Sequence, residues 1–225
     1  MILIRGLGKQ YKDNSGEIWP VKKIDYQIED GRFVSIVGRS GSGKSTLLKM
    51  LGGLLTPSVG TVEIDGTDLY SLNEKQMADY RCNTIGFIFQ DYFLEEKYTV
   101  YQNVEIVLMI SKTDTKIRKE KIESALESVG MLHKKDSYVM NLSGGEKQRV
   151  CIARAIVNNP KIIYADEPCG NLDWENGQVI MKLLREQVSQ GKTVVLVTHD
   201  VEDAGMTDEV ITLQDGKIIK HENKR

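Results

Sequence analysis

The sequence predicts an α/β fold: a parallel sheet with helices on both faces, an antiparallel β subdomain and an inserted helical segment. Three observations carry this. Short β-branched runs alternate with helical segments, the pattern of a layered sheet. Three Asp-Gly pairs lie between strand-like runs, where tight antiparallel turns are expected. From about residue 91 to 155 the β-runs thin out and helical periodicity takes over.

In chain order, Asp30-Gly31 reads as the first hairpin and precedes Phe33 to Val37, a nearly continuous apolar run suited to a central parallel strand buried on both sides. Gly38-Arg39-Ser40-Gly41-Ser42-Gly43-Lys44-Ser45-Thr46 follows at once and opens a helix containing Leu47, Leu48 and Leu51. Asp65-Gly66 is the second hairpin signal. Ile122, Ala125, Leu126 and Val129 follow i, i+3, i+4, i+7 spacing, and Gly130 is placed to end that helix as its C′ residue. Ser143 and Glu146 have capping-box spacing before a helix with Val150, Ala153 and Val157 on one face. Ile162-Ile163-Tyr164-Ala165 and Thr193 to Val197 are two further buried strands, and Asp215-Gly216 is the last hairpin. With no repeat, low-complexity tract or linker, the reading is one domain over residues 1–225. Its core is 1–90 and 156–225, with 91–155 as a helical subdomain.

Composition supports a folded chain, with 40% hydrophobic residues, 28% charged ones and 4 prolines among 225. A net charge of -2 gives no electrostatic reason to expect a nucleic-acid ligand. Cys82, Cys151 and Cys169 form no C-x-x-C pair, which argues against a disulfide framework or zinc site and fits a reducing compartment. The apolar stretches fall well short of the roughly 18 residues of a membrane helix, and the N-terminus is unlike a signal peptide.

Residues 38–46 match G-x-x-x-x-G-K-[ST] in the strand-to-helix context that this phosphate loop requires. Its glycines let successive N–H groups point inward, and the helix N-terminus adds a positive dipole end. Lys44 is expected on the β- and γ-phosphates and Ser45 on Mg²⁺. The apolar strand ending in Asp166-Glu167 brings two acids toward the same place: Asp166 on the Mg²⁺ side and Glu167 as base or orienter for the attacking water. Gly144 and Gly145 leave a second helix start bare of side chains, an open anion site. One nucleotide motif with two such helix starts suggests that the second serves a neighbour's nucleotide.

Leu142-Ser143-Gly144-Gly145-Glu146-Lys147-Gln148-Arg149 resembles the signature sequence of the nucleotide-binding subunits of ATP-binding cassette (ABC) transporters, and the other motifs occur in that family's order along essentially the whole chain. The resemblance implies the ABC ATPase fold around a P-loop NTPase core. It also implies that Tyr11 stacks on adenine, Gln90 is the hinge glutamine touching Mg²⁺, Gly170-Asn171-Leu172-Asp173 crosses the dimer interface and His199 holds the γ-phosphate. The ATP contacts would be Tyr11, Gly38, Arg39, Ser40, Gly41, Ser42, Gly43, Lys44, Ser45, Thr46, Gln90, Asp166, Glu167 and His199. Ser143, Gly144, Gly145 and Asp173 would act across the dimer, and Ser45, Gln90 and Asp166 on the metal. Glu167, His199, Lys44 and Gln90 would be the catalytic set.

Gly86 to Gln90, Gln102-Asn103-Val104-Glu105 and Ala165-Asp166-Glu167-Pro168 look most like the macrolide-exporter, lipoprotein-releasing and cell-division branch. Cys169, where the branch usually has Thr, and Glu95-Glu96-Lys97, in place of an apolar, proline-containing stretch, are departures. The expected molecule is an ATP hydrolase whose two copies sandwich two ATP and drive integral membrane permease subunits, peripheral on the cytoplasmic face of the membrane. The alternatives are a non-transport cassette relaying mechanical signals to an extracytoplasmic or cell-wall partner, and a soluble cassette acting on DNA or ribosomes. Six aromatics, Phe87, Phe89, Tyr92, Phe93, Tyr98 and Tyr101, crowd into 15 residues beside Gln90, as in interface cores. Tyr92, Phe93 and Tyr98 are expected to line a groove for a helix of the membrane subunit.

Overall fold

A computed structural model describes residues 1–13 and 16–224. Three of the predicted strands become the middle of a six-stranded sheet: β3 (Phe33–Val37), β7 (Ile162–Asp166) and β8 (Thr193–Thr198). Its order is β10-β9-β3-β8-β7-β6, with β6 at Ile85–Phe89, β9 at Glu209–Gln214 and β10 at Lys217–Asn223. All pairs are parallel except β9 with β10.

The continuous apolar runs have a simple cause. Successive side chains on a strand point to opposite faces, and here both faces are core. Ile162, Tyr164, Val195 and Val197 pack on one side with α1 (Lys44–Leu51) and the antiparallel sheet, whereas Ile163, Ala165, Val194 and Leu196 pack on the other with the helices. That antiparallel sheet has order β2-β1-β4-β5, from β1 (Ile2–Asp13), β2 (Gly16–Ile28), β4 (Val59–Ile64) and β5 (Thr67–Asp68).

Two of the three Asp-Gly signals are hairpins. Asp65-Gly66 joins β4 to β5 and Asp215-Gly216 joins β9 to β10, each with positive φ at both residues, as a type I′ turn requires. Asp30-Gly31 is not. It carries the chain from β2 in one sheet to β3 in the other, so its flanking strands never pair. The dipeptide encodes a tight turn but not whether the strands beside it share a sheet.

After β6 come α3 (Val100–Ile110), α4 (Thr115–Ser128) and α5 (Gly144–Ile156). Ile122, Ala125, Leu126 and Val129 are buried, and Gly130 has φ 70°, the left-handed C′ residue predicted for α4. Val150 and Ala153 of α5 and Val157 at its C-terminal cap are buried as expected. These helices share one continuous core with α6 (Trp174–Ser189) and the far face of the central sheet. Two more capping boxes set helix starts: Thr99 with Gln102 for α3, and Asn73 with Gln76 for α2 (Glu74–Thr84). Among the described residues, no helix is long and apolar enough to cross a membrane.

Candidate active site

Between Val37 and Lys44 the backbone curls into a tight loop that has no room for side chains at two points. A Cβ on Gly38 would stand 2.2 Å from the Leu213 carbonyl oxygen, and one on Gly43, where φ is 101°, would stand 2.0 Å from that of Pro20. The Lys44 ammonium lies over the loop, donating to the carbonyl oxygens of Gly38 and Arg39 at 2.8 and 3.3 Å. Among the described residues the Ser42 hydroxyl is one of two buried side-chain polar atoms with no hydrogen-bond partner in the chain. A buried hydroxyl needs a partner, and a phosphate cradled by the loop's glycines would supply one.

A cleft of about 620 Å³ opens here, lined by residues 40–46 with Pro20, Glu167 and His199. At its edge the Ser45 hydroxyl donates to Asp166 Oδ1 at 2.9 Å. Burial pushes the Asp166 carboxyl above its usual range, against the Ser45 hydrogen bond that pulls it down. An adjoining cleft of about 430 Å³ adds Gln90 to Ser45, Asp166 and Glu167. A hydroxyl, an amide and one carboxylate form a hard-oxygen donor set. It suits a small dication that takes its remaining ligands from phosphate and water.

Glu167, just past β7, has φ 49°. The left-handed region costs a non-glycine residue of order 1 kcal/mol or more, and such strain clusters at functional sites. In this turn the Glu167 N–H donates to the Val197 carbonyl at 2.9 Å, while its carboxylate Oε2 lies 2.9 Å from His199 Nδ1 and accepts the His199 N–H at 3.4 Å. Residues 32 apart in sequence thus pair at the cleft, with Glu167 sheltered and the His199 side chain 70% exposed.

Residues 21–170 match the family described as ABC transporter. The chain belongs to that family. It is 40% identical over 219 residues to the lipoprotein-releasing system ATP-binding protein LolD of Treponema denticola, covering 97% of each protein. The solved dimer of MJ0796, an ABC transporter cassette of Methanocaldococcus jannaschii, superposes with a TM-score of 0.92 at 38% identity over 100% of this chain and 99% of the other. A post-hydrolysis state of that cassette with ADP and Pi matches equally well, with a TM-score of 0.92 at 37% identity and the same coverage. The protein is thus an ABC cassette with the ABC ATPase fold, an ATP-binding and ATP-hydrolysing transporter subunit, and the non-transport alternative is not favoured.

The ABC cassette does not bring every expected residue to one place. Ser143, Gly144, Gly145, Asp173 and Tyr11 line neither cleft. Ser143 and Glu146 form the predicted capping box at 2.9 and 3.3 Å, with Lys134 paired to Glu146. The two glycines do more than bare the helix start. A Cβ on the buried Gly145 would meet Asn176 Oδ1 at 2.2 Å, and one on Gly144 would meet Tyr92 Oη at 2.9 Å, so small size also lets α5 pack closely. Asp173 caps α6, accepting the Asn176 N–H at 2.9 Å and its Nδ2 at 2.8 Å; these bonds hold its carboxyl below the usual range. Tyr11 is 46% exposed, with Lys9 Nζ 5.4 Å from its ring centroid.

Several contacts at the cassette's site join segments far apart in sequence. Pro20 lines the cleft, and its carbonyl oxygen is what a Cβ on Gly43 would meet. The Gln90 amide donates to Asn171 Oδ1 at 3.1 Å, and Asn171 returns a bond to the Gln90 carbonyl at 3.3 Å. A stripe on α5 anchors the segment after Gln90: Gln148 donates to the Phe89 carbonyl at 3.4 Å, Cys151 to that of Tyr92 at 3.2 Å, and Arg154 to those of Tyr92 and Phe93. Burial pushes the Cys151 thiol up to about 12, which keeps it protonated as a donor. Their i, i+3, i+6 spacing is visible in sequence, but their partners lie roughly 60 residues away. Cys169 packs against the Gly177 carbonyl at 3.7 Å, and burial pushes its thiol up as well.

The aromatic cluster divides. Phe87, Phe89 and Phe93 line a groove of about 330 Å³ with Cys82, Val107 and Arg154, whereas Tyr92 and Tyr98 do not line it. The proximity of Tyr92 Oη to Gly144 places its ring toward the start of α5 instead.

Proposed function

We propose that this cassette works as a homodimer on ATP binding. Each nucleotide is held between the phosphate loop of one copy and Ser143, Gly144 and Gly145 of the other, with Asp173 at the crossing. The observation that carries this is the exclusion of the α5 start from the chain's own clefts, although its amides and small residues suit an anion. The dimeric cassette among its structural relatives supports it.

In this reading the amides of Gly38, Arg39, Ser40, Gly41, Ser42, Gly43 and Thr46 and the Lys44 ammonium cradle the phosphates, and the Ser42 hydroxyl gains its missing partner. Tyr11 stacks on the base. Ser45, Asp166 and Gln90 would hold Mg²⁺, which when bound would neutralise charge developing on the phosphates. Glu167 accepts a proton from, or orients, the attacking water, and His199, fixed by Glu167, contacts the γ-phosphate. Sandwich closure and reopening are passed to integral membrane permease subunits, with residues 91–155 as the lobe that carries the signature helix and the cassette on the cytoplasmic membrane face. No nucleic-acid role is assigned.

Ser143→Arg tests the sandwich. The variant should bind ATP as tightly as wild type but lose turnover and ATP-driven dimerisation, followed by calorimetry, phosphate release and sedimentation velocity. Wild-type turnover by a monomeric variant would overturn the composite site.

For the permease contact, Phe93 leads: 69% exposed, φ 47°, edge-on to Phe89 at 5.4 Å and lining the apolar groove. Phe93→Ala should abolish co-purification with the membrane partner and leave basal ATPase intact. Undiminished co-purification removes the groove from the interface.

A further inference from the structure

Single exposed apolar side chains are ordinary, whereas neighbouring ones that form a patch mark contact surfaces. Among the described residues Val201, 83% exposed, is the most exposed of them, and Trp174, at 69%, is matched only by Phe93. Val201 and Trp174 lie on different helices yet belong to one surface: Trp174, the first residue of α6, donates its indole Nε1–H to Glu202 Oε2 at 3.1 Å, beside Val201 on α7 (Val201–Gly205). That bond is a second observation. It fixes the indole against α7 and satisfies its one polar atom, leaving the ring's hydrocarbon surface outward.

The position of this pair says what covers it. Trp174 directly follows Asp173, which the proposed sandwich places at the crossing to the second copy, and Val201 comes two residues after His199 at the γ-phosphate, so the patch borders the nucleotide where the two copies meet. Neither residue takes part in the chain's own clefts or cores. We propose that Trp174 and Val201 form an apolar contact patch for a second copy of this chain, buried only when the ATP-loaded dimer closes. The patch continues the interface past the nucleotide and adds association energy that does not come from ATP contacts. An indole held by a hydrogen bond loses little freedom on burial, the property that makes tryptophan frequent among the residues dominating interfaces. Two-fold symmetry presents the patch twice in each dimer, which doubles the effect of a single substitution.

This inference rests on the ATP-driven dimer, and the experiment separates the two. In a Glu167→Gln background with Trp19→Phe, Trp174 is the sole tryptophan. ATP should shift its emission to shorter wavelength as the dimer forms in sedimentation velocity. Adding Trp174→Ala or Val201→Ser should weaken dimerisation at least tenfold, with ATP affinity of the monomer and circular dichroism unchanged. No dimer in the background protein would sink the sandwich itself. A dimer that forms with unshifted Trp174 emission, or equally tightly after both substitutions, would overturn the patch alone.

Discussion

Glu167→Gln should lower ATP turnover by about 10²- to 10⁴-fold, the contribution of a positioned general base, while ATP still binds and the dimer accumulates. The substitution keeps the shape of the side chain. The backbone at φ 49° and the contact to His199 Nδ1 at 2.9 Å can therefore both survive, with the amide oxygen in place of Oε2. What is lost is the negative charge and the ability to take a proton from water. A hundredfold loss corresponds to about 2.7 kcal/mol of transition-state stabilisation. Single-turnover phosphate release in isolated protein measures it, and turnover within threefold of wild type would remove Glu167 from the chemistry.

Gly43→Ala should abolish ATP binding, through geometry rather than lost chemistry. The new methyl would sit 2.0 Å from the Pro20 carbonyl oxygen, well inside van der Waals contact, at a φ of 101° that L residues rarely adopt. Either the loop or β2 must move, and the loop's inward amides go with it. Backbone strain of about 1–3 kcal/mol also predicts a lower Tm. Calorimetry with ATP and a thermal melt together read the two effects; ATP affinity within a few fold of wild type would show that the loop tolerates the methyl. Gly41, with φ 78° but open space around its Cβ position, serves as the comparison, since its alanine variant meets strain without collision.

The chemistry-bearing motifs were legible because their logic is local. A phosphate loop needs its glycines, lysine and hydroxyl within eight residues, and a strand buried on both faces is apolar at most positions. Central strands β3, β7 and β8, the α4 helix with its Gly130 terminus and the capping box at Ser143 could therefore be read directly from the chain. Asp30-Gly31 was misread as a hairpin because sheet membership is decided by strands that pair far away: β3 lies between β8 and β9, not beside β2. The groove residues were misassigned for a similar reason. Six aromatics close in sequence go to different surfaces, and Phe89, Tyr92 and Phe93 lie on a segment held by bonds from the distant Gln148, Cys151 and Arg154.

By itself the sequence determined the α/β class, the order of motifs and the residue types able to hold phosphate, metal and water. Each depends on patterns a few residues long. Only the tertiary structure decided that Glu167 faces His199, that the Pro20 carbonyl lies against Gly43, that Gly145 is small for Asn176, and that Trp174 lies against Glu202. Those facts join residues 23 to 32 positions apart. No short pattern encodes them, because it is the packing of two cores on opposite faces of one sheet that brings such segments together.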